Sequence, residues 1–238
     1  MTNAWYVGYK AAHHATGFMA WTSALVALAL VAMHVKHYTM PHVQRHINRV
    51  ILIVPVFSLL SWIALVTNDA NAVYIEVVRD CYESWVVYNF LNLCLAYVGG
   101  PGAIVNAMSG KEIKSGSWLK MTCFYERDLV VDGNFIRKCK QGCLQFVYIK
   151  PILSILEIVL HAKGRLGDGQ INFLKAYVYI LFVYNISYTV ALYALWMFYL
   201  GAHDPLAKYN PLLKFIIVKS VIFLSFWQSF FTAMAVRT

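Results

Sequence analysis

Glu76, Arg79, Asp80 and Glu83 interrupt a stretch of the chain, residues 72–98, that is otherwise built for a hydrocarbon environment. On a helix these four fall within one arc of about 100°. Arg79 can then pair with Glu76 three residues earlier or with Glu83 four residues later. Two acids still need bases from elsewhere. Lys150 (just before Pro151), Asn185 and Lys219 stand near the middles of three other apolar runs. A charge deep in a bilayer costs about 2.5–3.5 kcal/mol on insertion scales. Glu83, Lys150, Asn185 and Lys219 are therefore expected at similar depth on four helices, facing one another. Asn89, with Asn92, lies on the other face of the 72–98 stretch and can hydrogen-bond a neighbour. Two readings of this polar core stay open. One is a path for a charged or amphipathic solute, in which Lys150 and Lys219 offer positive charge to an anion. The other is an ion-pair network that fixes helix register, and it is the simpler reading for Glu76 and Asp80 near the membrane surface.

Other chemistry has less support. Six of the eight histidines occur before residue 47: His13, His14, His34, His37, His42 and His46. His42 and His46 are four apart, a spacing helical metal ligands use, and membrane histidines can hold haem iron. Their aromatic, basic surroundings at helix ends point instead to the membrane interface, so no metal or cofactor is expected. No Ser-His-Asp or Cys-His set is discernible, and no glycine cluster continues into the Gly-Lys-Ser/Thr of a phosphate-binding loop. An enzyme is not indicated. The five cysteines, an odd number, do not form a disulfide framework. Cys123, Cys139 and Cys143 fall in or beside a basic loop, where S-palmitoylation is plausible; reduced cytosolic thiols explain them equally well.

The elements that must position these groups are membrane helices. Hydrophobic residues make up 60% of the 238 residues and charged residues 13%, more apolar surface than one soluble core of this size could hide. Sixteen tyrosines and seven tryptophans suit the two interfaces. The net charge of +9 sits in short loops between apolar runs, which favours anionic lipid over nucleic acid. Runs at 15–36, 47–67, 72–98, 140–161, 171–200 and 211–234 are each long enough to span. The expected fold is all-α: one polytopic transmembrane bundle over 1–238, with six spans. Pro55 and Pro151 are expected to kink their helices. The single long connection, 103–139, mixes charges with Trp118, Leu119, Phe124 and Tyr125, so part of it is expected to lie on the membrane surface. Lys and Arg near helix ends divide twelve against five between the two sides. The richer side carries the 103–139 loop and should face the cytoplasm, which puts the N-terminus outside or in a lumen.

Several blocks carry a resemblance. They are Pro41-x-x-Gln44-Arg45 with Arg49-Val-Ile-Leu-Ile-Val-Pro55; Arg79-Asp80-Cys81-Tyr82-Glu83 with Tyr88-Asn89-Phe90-Leu91 and Gly99-Gly100; Cys139-Lys140-Gln141-Gly142-Cys143-Leu144-Gln145-Phe146 through Lys150-Pro151; Asn185-x-Ser187; and Lys219-Ser-Val-Ile-Phe-Leu-Ser-Phe-Trp-Gln228. Over residues 15–230 the chain resembles the transmembrane protein 184 family, related to the alpha subunit of the organic solute transporter and to plant LAZ-type proteins. The resemblance implies a seven-helix multi-pass bundle in the plasma membrane or an endomembrane, with an external N-terminus. It also implies facilitated diffusion of amphipathic organic anions, sterol conjugates or lipids, a bound lipid or sterol, and a small single-span partner subunit. Lipid-modified cysteines in the third loop of relatives are matched loosely by Cys123 and Cys139. Two departures stand out. Ala96 replaces an acidic residue frequent before the Tyr-x-Gly-Gly end of the third helix, and the sequence stops before a seventh helix. A non-transporting scaffold or accessory subunit of a larger membrane complex is the alternative role.

Overall fold

A computed structural model describes residues 2–67, 69–108, 112–113, 129–130, 132–164, 176–210, 213–214 and 216. Eight α-helices run through the described residues. The long ones are α1 (Thr2–Lys36), α4 (Asp69–Tyr97), α6 (Gly133–Ala162) and α7 (Ala176–Gly201). A further membrane-length run is made by α2 (Pro41–Ile51) and α3 (Ile53–Val66) together. Shorter helices are α5 (Pro101–Met108) and α8 (His203–Leu206), the latter followed by a 3-10 turn at Ala207–Tyr209. A single two-residue antiparallel pair, β1 (Glu112–Ile113) with β2 (Leu129–Val130), lies between α5 and α6.

Among the described residues, four segments are long and apolar enough to cross a membrane: His13–Lys36, Pro41–Val66, Gly133–Ala162 and Val178–Gly201. The 72–98 run is α4. It has the length, 29 residues, but carries Glu76, Arg79, Asp80 and Glu83. The sixth run, 211–234, lies outside the described residues except for Leu213, Lys214 and Ile216. Helix α1 starts well before residue 15, and α6 starts at Gly133, inside the stretch read from sequence as loop. Asp132 explains the earlier start: its carboxylate accepts the Phe135 amide at 2.7 Å, satisfying one of the amides a helix N-terminus leaves open. Most of 114–128, where a surface-lying helix was expected, is outside the described residues.

Two breaks follow from single residues. Pro55 has no amide proton to give the Ile51 carbonyl, and the helix is interrupted at Leu52 (φ −62°, ψ −10°). Pro151, by contrast, sits within a continuous α6. At the end of α4, Gly99 and Gly100 take φ of 89° and 100°. The Gly100 amide then bonds back to the Leu95 carbonyl at 2.8 Å, a left-handed stop that glycine adopts without a Cβ penalty.

Helix α4 is central: α2 and α3 pack on one side of it and α6 on another, with α1 outside α3 and α7 outside α6. Its second half supplies the core, with Val86, Phe90, Leu91, Cys94 and Leu95 buried against Phe135, Ile136, Cys139, Leu195 and Phe198. Small residues let α6 and α7 approach. A Cβ on Gly142 would come within 2.6 Å of the Ala194 Cβ, and the Cys143 thiol lies 3.7 Å from the Ala191 carbonyl. Close backbone approach of this kind is how membrane helices gain packing without a hydrophobic driving force.

Candidate functional site

One charged cluster gathers on α4, and four helices build it. Lys150 of α6 places Nζ 2.8 Å from Asp80 Oδ2, with side chains only 12% and 26% exposed. The other Asp80 oxygen receives Arg79 Nε at 3.2 Å. Arg79 turns toward α3, where its guanidinium lies 3.4 Å from Ser61 Oγ and 5.1 Å from the centre of the Phe57 ring. The Lys150 ammonium also stands over the Tyr184 ring of α7 at 4.1 Å, an attraction that strengthens away from water. Glu83 is 7% exposed and within electrostatic reach of the same tyrosine. At 1.5 Å per residue, Asp80 lies about 16 Å from the start of α4 and Lys150 about 18 Å from the end of α6.

Helices α6 and α7 continue the polar seam. Ser187 Oγ donates to Gln145 Oε1 at 2.8 Å, and Gln145 Nε2 donates to the Ser187 carbonyl at 2.7 Å. A lateral groove of about 520 Å³ runs along the same two helices from Gln145, past Gln141 and Lys138 on one wall and Tyr193, Ala194 and Met197 on the other. That volume admits an acyl chain or a sterol-sized body, and its lining is apolar with a few placed polar groups, as in most small-molecule sites.

A second cluster lies about nine residues further along α4. Asn89 is 1% exposed. Its Oδ1 meets Arg49 Nη1 at 3.3 Å and His46 Nδ1 at 3.4 Å, both from α2, while its Nδ2 donates to the Trp85 carbonyl at 2.9 Å. Arg49 also stacks over Trp85 at 5.3 Å, and its backbone carbonyl receives the Tyr82 hydroxyl at 2.9 Å.

The sequence-selected residues thus separate. Lys150 and Glu83 line the first cluster, and Asn89 belongs to the second. Asn185 is exposed and donates back to the Leu181 carbonyl of its own helix at 2.7 Å. Its neighbour Tyr184 is the α7 residue that faces the charges. Lys219 and Cys123 lie outside the described residues. Glu76 is exposed, and the ion pair of Arg79 is with Asp80, beside the two partners its spacing suggested. Cys139 and Cys143 are 4% and 0% exposed within the α4–α6–α7 core, with Cys139 on the groove wall. Among the described residues no three His, Cys, Asp or Glu side chains group as a metal site. Tyr184, and the Gln145–Ser187 pair as a unit, were not singled out from sequence.

A chain of long apolar helices matches what sequence comparison finds. The family model for the organic solute transporter Ostalpha matches residues 12–238. The chain belongs to that family. A transmembrane protein 184 homolog of Dictyostelium discoideum is 32% identical over 213 residues, which are 89% of this chain and 41% of that protein. The chain therefore spans about two fifths of the length of that curated relative. No solved structure matches. It is an integral membrane protein of a transporter family, not of an enzyme family.

Proposed function

We propose that this chain is a facilitative carrier of amphipathic organic anions, sterol conjugates or lipids, moving them along the polar seam between α6 and α7. The observation that carries this reading is the Lys150 ammonium between α4, α6 and α7, held by Asp80 and Tyr184 one turn and a half along α6 from Gln145 on the groove wall. An anionic headgroup entering the groove competes with Asp80 for that ammonium, and the apolar body occupies the groove. Lys219 is proposed to add a second positive charge. The reading includes six spans in this chain, an outside or lumenal N-terminus with the 103–139 loop in the cytoplasm, a resident lipid or sterol, acylation at Cys123, Cys139 or Cys143, and a single-span partner subunit.

The rival role, a scaffold within a larger membrane assembly, is favoured by one observation: Arg79, Asp80 and Lys150 already satisfy each other, as a register-fixing network would. Uptake of a fluorescent sulfated sterol into reconstituted vesicles separates the two. Replacing both partners together, Lys150→Met with Asp80→Asn, removes the contact between α4 and α6 while Arg79 keeps Ser61 and the Phe57 ring. The carrier predicts folded protein with flux reduced at least about tenfold, equivalent to ~1.4 kcal/mol in the limiting step, and recovery in Lys150→Arg. Wild-type flux indistinguishable from empty vesicles would leave the scaffold.

A further inference from the structure

Helix α2 is amphipathic in an unusual way for the first half of a membrane-length segment. His42, Arg45, His46 and Arg49 recur at intervals of three, one and three residues and share an arc of about 100°. Val43, Gln44 and Val50 are the buried residues of the same helix. Gln44 locks the start of the helix: its Oε1 accepts the Met40 amide at 3.1 Å and its Nε2 donates to the His37 carbonyl at 2.7 Å. The basic face is thus held in fixed register to the end of α1, across the four residues that separate Lys36 from Pro41. His42 and Arg45 are exposed, while His46 and Arg49 are half-buried against Asn89.

The charges on this face are not balanced. Among the described residues neither Arg45 nor Arg49 has a carboxylate partner. Arg49 is met by a neutral amide and an aromatic ring, which orient its guanidinium without neutralising it. The acids Glu76, Asp80 and Glu83 all lie in the first half of α4, at the level of Lys150, one or more turns away. A fixed, half-desolvated guanidinium needs an anion, and Arg is suited to bidentate phosphate binding. Position selects its source. Arg45 is exposed about 6 Å along α2 from Pro41 and Arg49 half-buried about 12 Å along it, so a phosphate met by Arg45 at the turn lies within one helical turn of the fixed Arg49.

We propose that the basic face of α2 seats the phosphate of an anionic phospholipid in the leaflet next to the 37–40 turn, with Arg45 and Arg49 gripping the phosphate and His42 and His46 flanking it. The site is separate from the α6–α7 seam, on the opposite side of α4, and its failure would not touch the carrier reading.

The test is native mass spectrometry of the delipidated full chain with dioleoyl phosphatidic acid or dioleoyl phosphatidylcholine. Wild type should prefer phosphatidic acid, and each arginine replaced by glutamine should weaken that binding roughly fivefold, as expected for one basic residue at an anionic surface. Arg45→Gln is the safer variant because that side chain is exposed; Arg49→Gln adds the second step. Lys163→Gln, on an exposed side chain at the far end of α6, should leave the preference unchanged. No preference in wild type, or full preference in Arg45→Gln/Arg49→Gln, overturns the proposal. Displacement of the lipid by an equal concentration of inorganic phosphate also overturns it, since the site would then belong to a soluble anion.

Discussion

The two polar clusters on α4 use charge in opposite ways. Around Asp80 the bases and acids come from within the bundle: Lys150 and Arg79 divide the two oxygens of one carboxylate, and Glu83 is buried close by. Around Asn89 the described residues provide bases only, and a neutral amide holds them in place. An internal ion pair removes its own field and fixes helices against each other. An unpaired guanidinium keeps its field and projects it outward. Sharing one helix, the first cluster suits a gate that a solute must open, and the second suits a contact that a lipid completes.

The largest expected effect breaks the first region alone. Lys150→Ala takes from Asp80 one of its two bases and should cost about 2–3 kcal/mol, the upper range for a hydrogen bond between charged groups, with Arg79 left on the other oxygen. Thermal unfolding in mild detergent would show it as a large drop in midpoint. Arg49→Gln strands no carboxylate and should cost less than half as much; equal losses at the two sites would erase the distinction between them. Next in size is Gly142→Leu. The added side chain meets Ala194, so α6 and α7 must separate, at a cost of about 1–3 kcal/mol typical of overpacking, and the groove should change shape with it. Ser187→Ala removes the hydroxyl that serves Gln145 and should cost roughly 0.6–1.7 kcal/mol, the span measured for interhelical hydrogen bonds in membranes. Smallest is Arg45→Gln. Detergent stability should move by no more than about 0.5 kcal/mol, as for most exposed substitutions, while preference for anionic lipid falls. A stability loss as large as that of Ser187→Ala would mean Arg45 is structural.

Hydropathy and helix-end chemistry made much of the bundle readable in advance. Apolar runs mark α1, α3, α4, α6 and α7, Gly99-Gly100-Pro101 marks the end of α4, and Pro55 accounts for the break at Leu52. The first turns of α1 and α6 were hidden because polar residues fill them, and a hydropathy window does not register an Asp132 cap. Membership of the Ostalpha family was legible in the ordered blocks around Arg79, Gln145 and Lys150. Partner choice was harder. Glu76, Asp80 and Glu83 share one arc, and only the rotation and vertical offset of α6 decide which of them Lys150 meets. On α7 the same problem spans one residue. Asn185 was the natural choice by polarity, but a 100° step brings Tyr184 to the charges instead, and one tyrosine among sixteen carries no signal of its own. The basic face of α2 was visible as histidines and arginines near an interface, yet its lack of acidic partners emerges only when α4 is packed against it.

Every function proposed for the α6–α7 seam depends on Lys150 and Asp80 meeting inside the bundle. A double-mutant cycle measures that contact directly, using unfolding free energies of wild type, Lys150→Met, Asp80→Asn and the double variant in one detergent. The 2.8 Å pair predicts a coupling of at least about 1 kcal/mol, with the double variant more stable than the sum of the single losses allows. Strictly additive losses would mean the two side chains do not touch, and the ammonium that serves Asp80 would have to be sought on another helix.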